Sequence, residues 1–462
     1  MNTHESIPFD PDLIRRYDTA GPRYTSYPTA VQFHDAFTEA DYRAAAARSN
    51  TAGGPLSIYV HVPFCDTVCY YCGCNKVVTK DRSRAAPYVA DLAKELALQS
   101  ALFTPGRPVD QLHFGGGTPT FLSNEEMRQV LGAIAEHFTL KTDDRGEYSI
   151  EIDPREADAE TVAVLRSLGF NRLSLGVQDI DPKVQQAVNR IQPLDLTRAV
   201  LDAARAEGFH GVSFDLIYGL PHQTPDSFRR TLDAVIELAP DRLSLFNYAH
   251  LPTRFKPQRR INAADLPSAA DKLKILGQSI EQLSQAGYLL IGMDHFARPD
   301  DPLARAQADG TLHRNFQGYS THAECDMVAV GVSSISQVGG VFSQNTKDLV
   351  RYHEAVSAGQ LPIDRGYRLT PEDHLRQRVI MTLISHFRLD FADIEAEFAI
   401  DFPQHFAASL AALAPMQADG LLSLSPTGIT IHPRGKLLIR NICMAFDEYL
   451  NPDGLQRFSR VI

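Results

Sequence analysis

From residue 56 onward, runs rich in β-branched and aromatic residues alternate with runs whose apolar residues recur at helical spacing. LSIYVHV (56–62) predicts a strand that opens into a loop. A helical pattern follows in PYVADLAKELALQSALF (87–103). QLHFGGG (111–117) predicts the next strand, with a helix from Asn124 to Phe138 behind it. YSIEID (148–153) leads to a helix near 158–168, and RLSLGVQ (172–178) to helices near 181–189 and 195–207. GVSFDLIYGL (211–220) leads to a helix near 225–238, and RLSLFNYA (242–249) closes the series. Such alternation predicts a parallel sheet with helices outside. Six units are fewer than the eight of a closed barrel, so the expected α/β fold is a partial, open (β/α)6 barrel.

The flanks follow other patterns. SAADKLKILGQSIEQLSQAGY (268–288) predicts one more helix, and LLIGMDHFA (289–297) a further strand or edge. From about residue 366 the chain has short helical runs. GLLSLSPTGITIHPRGK (420–436) then reads as a hairpin before a final helix to about 450. The expected organisation is an N-terminal arm or lid (1–54), the barrel (55–300), a barrel-edge and connecting segment (301–365), and a small α-rich C-terminal domain with a wing-like hairpin (366–462). A winged-helix DNA reader would have such a hairpin. The net charge of −11 favours a packing or lid domain instead and argues against general nucleic-acid binding, which depends on Lys and Arg. A local basic pocket for a small anionic substrate is still compatible with an acidic chain. With 44% hydrophobic and 22% charged residues the composition is that of a soluble globular protein. No apolar run reaches membrane-spanning length. MNTHESIPFDPDLIRRYD lacks the basic-then-apolar layout of a signal peptide. The protein is therefore expected in the cytoplasm, where thiols stay reduced.

Ligands of parallel α/β sheets bind beyond the carboxyl ends of the strands. The first predicted strand releases HVPFCDTVCYYCGCNK (61–76). The second ends in Gly115, Gly116, Gly117, Thr118 and Pro119, and the third in Glu151 and Asp153. The fourth ends in Gln178 and Asp179. The fifth carries Asp215 and ends at Gly219, and the sixth ends in Asn247, Tyr248, Ala249 and His250. Any one of these could be a turn or cap residue; six in register with a cysteine cluster point to one functional rim. Four of the chain's six cysteines, Cys65, Cys69, Cys72 and Cys74, fall within ten positions of that first loop. A structural zinc usually takes two short pairs separated by a longer loop. A redox dithiol needs only two thiols. Iron–sulfur clusters are thiolate-ligated and tolerate crowded spacing. All three readings stand on spacing alone, with the cluster favoured.

The pattern C-x3-C-x-aromatic-C, here Cys65, Cys69, Tyr71 and Cys72, resembles the signature of radical S-adenosylmethionine (SAM) enzymes. The longer C-x3-C-x2-C-x-C pattern, within YVHVPFCDTVCYYCGCNK, resembles the family of oxygen-independent coproporphyrinogen III oxidases. GPRYTSYPTA (21–30), HFGGGTPT (113–120), EIDPRE (151–156), DLIYGLPHQTP (215–225), LHRNFQGY (312–319) and LLIRNICM (437–444) extend that likeness from about residue 11 to the end of the chain.

The resemblance implies oxidative decarboxylation of two propionate side chains of coproporphyrinogen III to the vinyl groups of protoporphyrinogen IX. A SAM-derived 5′-deoxyadenosyl radical would be the oxidant. Cys65, Cys69 and Cys72 would ligate a [4Fe–4S] cluster with one open iron. Tyr59 and Tyr71 would flank the cluster and SAM, Gly116, Gly117 and Thr118 would meet SAM, Glu151 would be its carboxylate partner, and Ile335 in GVSSIS would lie near it. Gln178, Arg190, Asp215 and Ala249 match positions for a second SAM molecule. A substrate with four carboxylates needs basic partners, for which Arg23, Arg190 and Arg314 are candidates. Gln317 is a candidate active-site group. Tyr24 and Tyr27 could cover a flat tetrapyrrole. Cys74 would be a thiol near the active site that ligates no iron, or else a buried structural cysteine. Cys325 and Cys443 have a structural reading only. His61, His113, His295 and His322 lie near candidate rim segments. A flavodoxin- or ferredoxin-type electron donor and a monomeric state are also implied. The competing reading is a related haem-binding chaperone without oxidase activity. Such proteins typically lack the fourth cysteine and the RYTSYPTA arm, both present here.

Overall fold

The computed structural model describes residues 7–450. Its centre is the expected series of parallel strands: β1 (Leu56–Val62), β2 (Pro108–Gly116), β3 (Glu147–Ile152), β4 (Arg172–Gln178), β5 (Gly211–Tyr218) and β6 (Arg242–Asn247), each paired in parallel with the next. The helices α1 (Ala85–Ser100), α2 (Asn124–His137), α3 (Ala159–Ser167), α4 (Leu194–Ala206) and α5 (Pro225–Leu238) connect them. Burial alternates along β3 and β4. Leu173, Leu175 and Val177 are buried, whereas Arg172, Ser174 and Gln178 project from the other face. Ser174, Ser213, Asp215 and Ser244 line a polar lumen with Gln111 and Glu147. Glu147 meets Arg172 at 3.0 Å, and Asp301 meets Arg242 at 2.9 Å, at the end where the strands begin.

The barrel is open. α6 (Ala269–Gln285) precedes LLIGMDHFA, which forms an antiparallel hairpin, β7 (Leu289–Gly292) and β8 (His295–Ala297), with β8 paired to β6. Residues 301–365 contribute more sheet than an edge or connection would. β9 (Asp326–Val330) lies parallel to β1 on its free side. β10 (Ile335–Val338), β11 (Val341–Asn345) and β12 (Ile363–Arg368) follow antiparallel. Gly339 and Gly340, both at positive φ, make the two-residue turn between β10 and β11. The sheet order is β7-β8-β6-β5-β4-β3-β2-β1-β9-β10-β11-β12, with no pairing between the two ends.

Several boundaries differ from the expected ones. The helix expected at 87–103 runs from Ala85 and stops at Ser100. The last helix of the described chain is Ile439–Met444, well short of residue 450. The expected hairpin forms from Leu422–Ser425 and Gly428–Ile431, and Arg388–Asp390 adds a third strand to it. The end of the predicted C-terminal domain, 451–462, lies outside the described residues. Among those described, no helix is long and apolar enough to cross a membrane.

The arm is fixed to the C-terminal domain. Tyr17 donates to Asp419 Oδ2 at 2.6 Å, and Asn441 Nδ2 donates to Tyr17 O at 2.8 Å. Tyr24 and Tyr27 are 1% and 0% exposed within that domain's core beside Leu375, Val379 and Phe446. They hold Asp447 and the Glu448 backbone, so they do not cover a ligand as the sequence suggested.

Candidate functional site

The cysteine loop leaves β1 at Val62 and is braced by the glycines that end β2. Gly117 N donates to Val62 O at 2.8 Å, and Thr118 N to Phe64 O at 2.8 Å. A Cβ on Gly117 would lie 2.6 Å from Phe64 O. One on Gly116, whose φ is +118°, would lie 2.6 Å from the His61 ring. Both positions therefore require glycine for a steric reason internal to the loop.

Three of the four clustered sulfurs each face a hydrogen-bond donor. Thr118 Oγ1 lies 3.5 Å from Cys65 Sγ. Arg190 Nη1 and Arg155 Nη2 lie 3.6 and 3.8 Å from Cys69 Sγ. Cys74 N donates to Cys72 Sγ at 3.4 Å. The Cys72 thiol is drawn down to about 5, chiefly by hydrogen bonding from Cys74 and then by Lys76. Burial pushes Cys65 up to about 11 against the Thr118 contact. Cys74 is exposed as a residue, and its side chain hydrogen-bonds with Cys72. A tetrahedral zinc with Zn–S bonds of about 2.3 Å needs sulfurs roughly 4 Å apart. No three ligand atoms of the cysteine loop lie within 4.8 Å of one another. Among the described residues that spacing occurs only for His322, Glu324 and Cys325. These precede β9, at the opposite end of the barrel from the rim, so His322 is not a rim residue. The donor set and the wider spacing fit a multi-iron cluster on Cys65, Cys69 and Cys72.

Around this loop the strand ends gather most of the other candidates. Tyr59 stacks on His113, with ring centroids 5.8 Å apart, and its hydroxyl lies 3.1 Å from His61 Nδ1. Burial lowers the His61 pKa and favours a neutral ring there. Glu151 accepts from Gly116 N at 3.2 Å and lies 3.5 Å from His113 Nε2. Glu151, Asp215 and Gln317 line one cavity of about 200 Å³ in the lumen. Burial, then the Glu151 charge, lifts Asp215 to about 6, against hydrogen bonds from Ser244 and Ser174. Gln178 sits at φ +64° where β4 breaks register. Tyr71 packs on Val184, Val188 and Tyr248. Ile335 opens β10 and packs with Phe33 and Phe342. Ala249 and Arg23 line a second cavity, of about 1000 Å³, beyond the end of β6.

The three basic candidates differ in what already holds them. Arg190 donates to Asp153 at 2.8 Å and to Gly176 O at 2.7 Å, besides facing Cys69. Arg314 is 3% exposed and stacks on Tyr319 at 4.6 Å, its Nε and Nη1 buried and without a partner among the described residues. Arg23 is half-buried, paired with Asp294 and laid over Phe246 at 5.6 Å. Arg155, which the sequence pattern did not single out, completes the buried group around Cys69. Its signal was its place in EIDPRE, one residue past Pro154.

The chain matches the family model of the radical SAM superfamily over residues 59–235 and that of the HemN C-terminal domain over 369–438. It is 57% identical to the oxygen-independent coproporphyrinogen III oxidase of Pseudomonas aeruginosa, over 99% of this chain and 100% of that one. It is 50% identical to the protein of the same name from Escherichia coli, over 99% of each. The chain belongs to the oxygen-independent coproporphyrinogen III oxidase family. The solved structure of the Escherichia coli coproporphyrinogen III oxidase, described as a radical SAM enzyme, aligns with a TM-score of 0.92 at 48% identity. That alignment covers 96% of this chain and 100% of the other. Radical SAM proteins use a [4Fe–4S] cluster and SAM.

Proposed function

We propose that the protein oxidatively decarboxylates two propionate side chains of coproporphyrinogen III, giving the vinyl groups of protoporphyrinogen IX. Each propionate loses CO2, one hydrogen atom and one electron. The observation that carries this reading is the three-plus-one arrangement of thiols: Cys65, Cys69 and Cys72 each face a donor, and Cys74 stands apart as one of those donors. When bound, the cluster and SAM supply one-electron chemistry able to break an unactivated C–H bond, which no side chain does at neutral pH.

The chain's own residues bind and orient. Cys65, Cys69 and Cys72 would hold the cluster, which would supply one-electron chemistry toward SAM. Tyr59, Tyr71, Gly116, Gly117, Thr118, Glu151 and Ile335 surround the first SAM. Gln178, Arg190, Asp215 and Ala249 take the second. SAM carries a sulfonium and an ammonium group, and the two carboxyls of the lumen, Glu151 and Asp215, offer them opposite charge. Gln317, in the same cavity, is placed to touch substrate. Arg23 supplies a cation for a substrate carboxylate, and Cys74 is a thiol beside the cluster that ligates no iron. A flavodoxin- or ferredoxin-type protein delivers the electron to a monomer in the cytoplasm.

The test is anaerobic. The protein is reconstituted with iron and sulfide and given SAM, a reductant and coproporphyrinogen III. Both 5′-deoxyadenosine and protoporphyrinogen should form and vanish together in Cys65→Ser. Deoxyadenosine without the divinyl product would overturn the substrate assignment. An intact cluster with neither product would favour the haem-chaperone reading.

A further inference from the structure

The cavity of about 1000 Å³ beyond β6 runs against the charge of the chain. The whole sequence carries −11. The cavity is lined by the cations Arg15, Arg23, Lys272 and Arg440 and the carboxylates Asp18 and Asp294. Arg15 also pairs with Asp12 at 2.6 Å. Lys272 comes from α6, and its place is made by a glycine: a Cβ on Gly219, at the end of β5, would lie 2.8 Å from Lys272 Cε. Its Nζ donates to the backbone carbonyl of Tyr248 at 3.2 Å. An ammonium has three donors, so others are left for a ligand. Burial lowers the Lys272 pKa, and the Asp18 charge opposes that shift. Arg440 donates to Pro22 O at 2.8 Å and also to Gly21 O, so it fixes the arm as the cavity's wall. Ile14, Leu276, Ile280 and Leu437 supply apolar surface between the charges. Apolar walls with a few convergent cations suit a large ring bearing carboxylates.

We propose that this cavity seats the spectator carboxylates of the tetrapyrrole, those that do not react, and that Lys272 is a substrate-binding residue. The assignment rests on the decarboxylation reading above and adds where the substrate is held. The sheet order sets the geometry. The cysteine loop leaves β1, whereas the cavity opens beyond β6, at the other end of the six-stranded arc. A carboxylate bound at Lys272 is therefore held across the rim from the thiols while another arm of the same ring reaches toward them. A spectator carboxylate survives in the product, so Lys272 should contribute to product affinity as well as substrate affinity.

The experiment uses the reconstituted holoenzyme. Lys272→Gln should raise the KM for coproporphyrinogen III roughly 10- to 100-fold, the effect of one charge-assisted hydrogen bond, with a much smaller change in kcat. Protoporphyrinogen IX should lose potency as an inhibitor by a similar factor. Lys272→Arg should recover most of both. Lys274→Gln, exposed on the same helix, should behave as wild type. Direct binding is read with coproporphyrin III and with its uncharged tetramethyl ester, and Lys272→Gln should weaken only the acid. Unchanged KM and acid affinity in Lys272→Gln would overturn the proposal, as would equal losses for acid and ester. A wild-type protein that binds coproporphyrin III through Lys272 but yields no vinyl product would sink the decarboxylation reading and leave the cavity assignment standing.

Discussion

Asp153 is the carboxylate that makes two arginines tolerable beside Cys69, and replacing it by asparagine isolates that contribution. The side chain is 8% exposed. It accepts from Arg155 at 2.6 and 2.9 Å and from Arg190 at 2.8 Å. Burial alone would raise its pKa; Arg190 and then Arg155 outweigh that and hold it down. Asp153→Asn keeps the shape and removes the charge. Two guanidinium groups would then be left buried together, a change that costs about 3–5 kcal/mol when one partner of a buried pair is lost. For 462 residues the unfolding entropy is about 1 kcal/mol/K, so the melting temperature should fall by about 3–5 °C. Both arginines also face the Cys69 sulfur, at 3.6 and 3.8 Å. A cluster-bound thiolate would supply part of the missing negative charge. The fall should accordingly be larger in iron-stripped protein than in reconstituted protein. Thermal melts of both forms, for wild type, Asp153→Asn and Asp153→Asn/Arg155→Met, read this directly. The double variant should regain at least half of the loss, because one of the stranded cations is gone. A shift under about 1 °C in stripped protein, or a double variant worse than the single, would refute the charge-balance argument.

Two further outcomes follow from other buried or bridging groups. Glu95 is fully buried and accepts from Tyr352, Gly331 N and Asn345, and burial lifts its carboxyl to about 7. The fold thus binds a proton that the unfolded chain releases near 4.5. Glu95's contribution is full below that pH and is lost as pH rises through 7, so the stability difference between wild type and Glu95→Gln should shrink by about 3 kcal/mol from pH 5 to 8. A flat difference in denaturant titrations would contradict it. Cys74→Ser should keep wild-type iron content, since the contact to Cys72 from the Cys74 backbone N–H survives the substitution; iron lost in proportion to one ligand would make the Cys74 thiol part of the cluster shell.

The parallel strands were legible because each is short, bounded by turn residues and followed by an amphipathic helix. RLSLGVQ became β4 over the predicted residues, and the helix near 225–238 formed as Pro225–Leu238. The extension beyond β1 was harder to see. β9 pairs with a strand 270 positions earlier in the chain, from Leu56 to Asp326, and no local pattern encodes such a partner. The Gly339–Gly340 turn between β10 and β11 was a readable hairpin signal in a segment taken as connecting chain. Basic residues were the least legible part of the site. Arg23, Arg190 and Arg314 look alike in sequence, yet only Arg23 reaches a cavity. What separates them is position: Arg190 is taken up by Asp153, Gly176 O and Cys69, whereas Arg23, though paired with Asp294 and laid over Phe246, still lines the cavity, and that is decided by tertiary packing.

The same distinction explains the crowded thiols. With a single residue between them, Cys72 and Cys74 share one turn, and Gly73 lies under the Phe255 ring, where a Cβ would come within 3.1 Å. The two residues are therefore held close: the Cys74 N–H meets the Cys72 sulfur at 3.4 Å, and the Cys74 side chain also hydrogen-bonds with Cys72. Cys74, two residues on and behind a glycine packed under an aromatic ring, is kept beside Cys72 and hydrogen-bonded to it. In the function proposed above, the short spacing would keep Cys74 beside a cluster ligand without making it one.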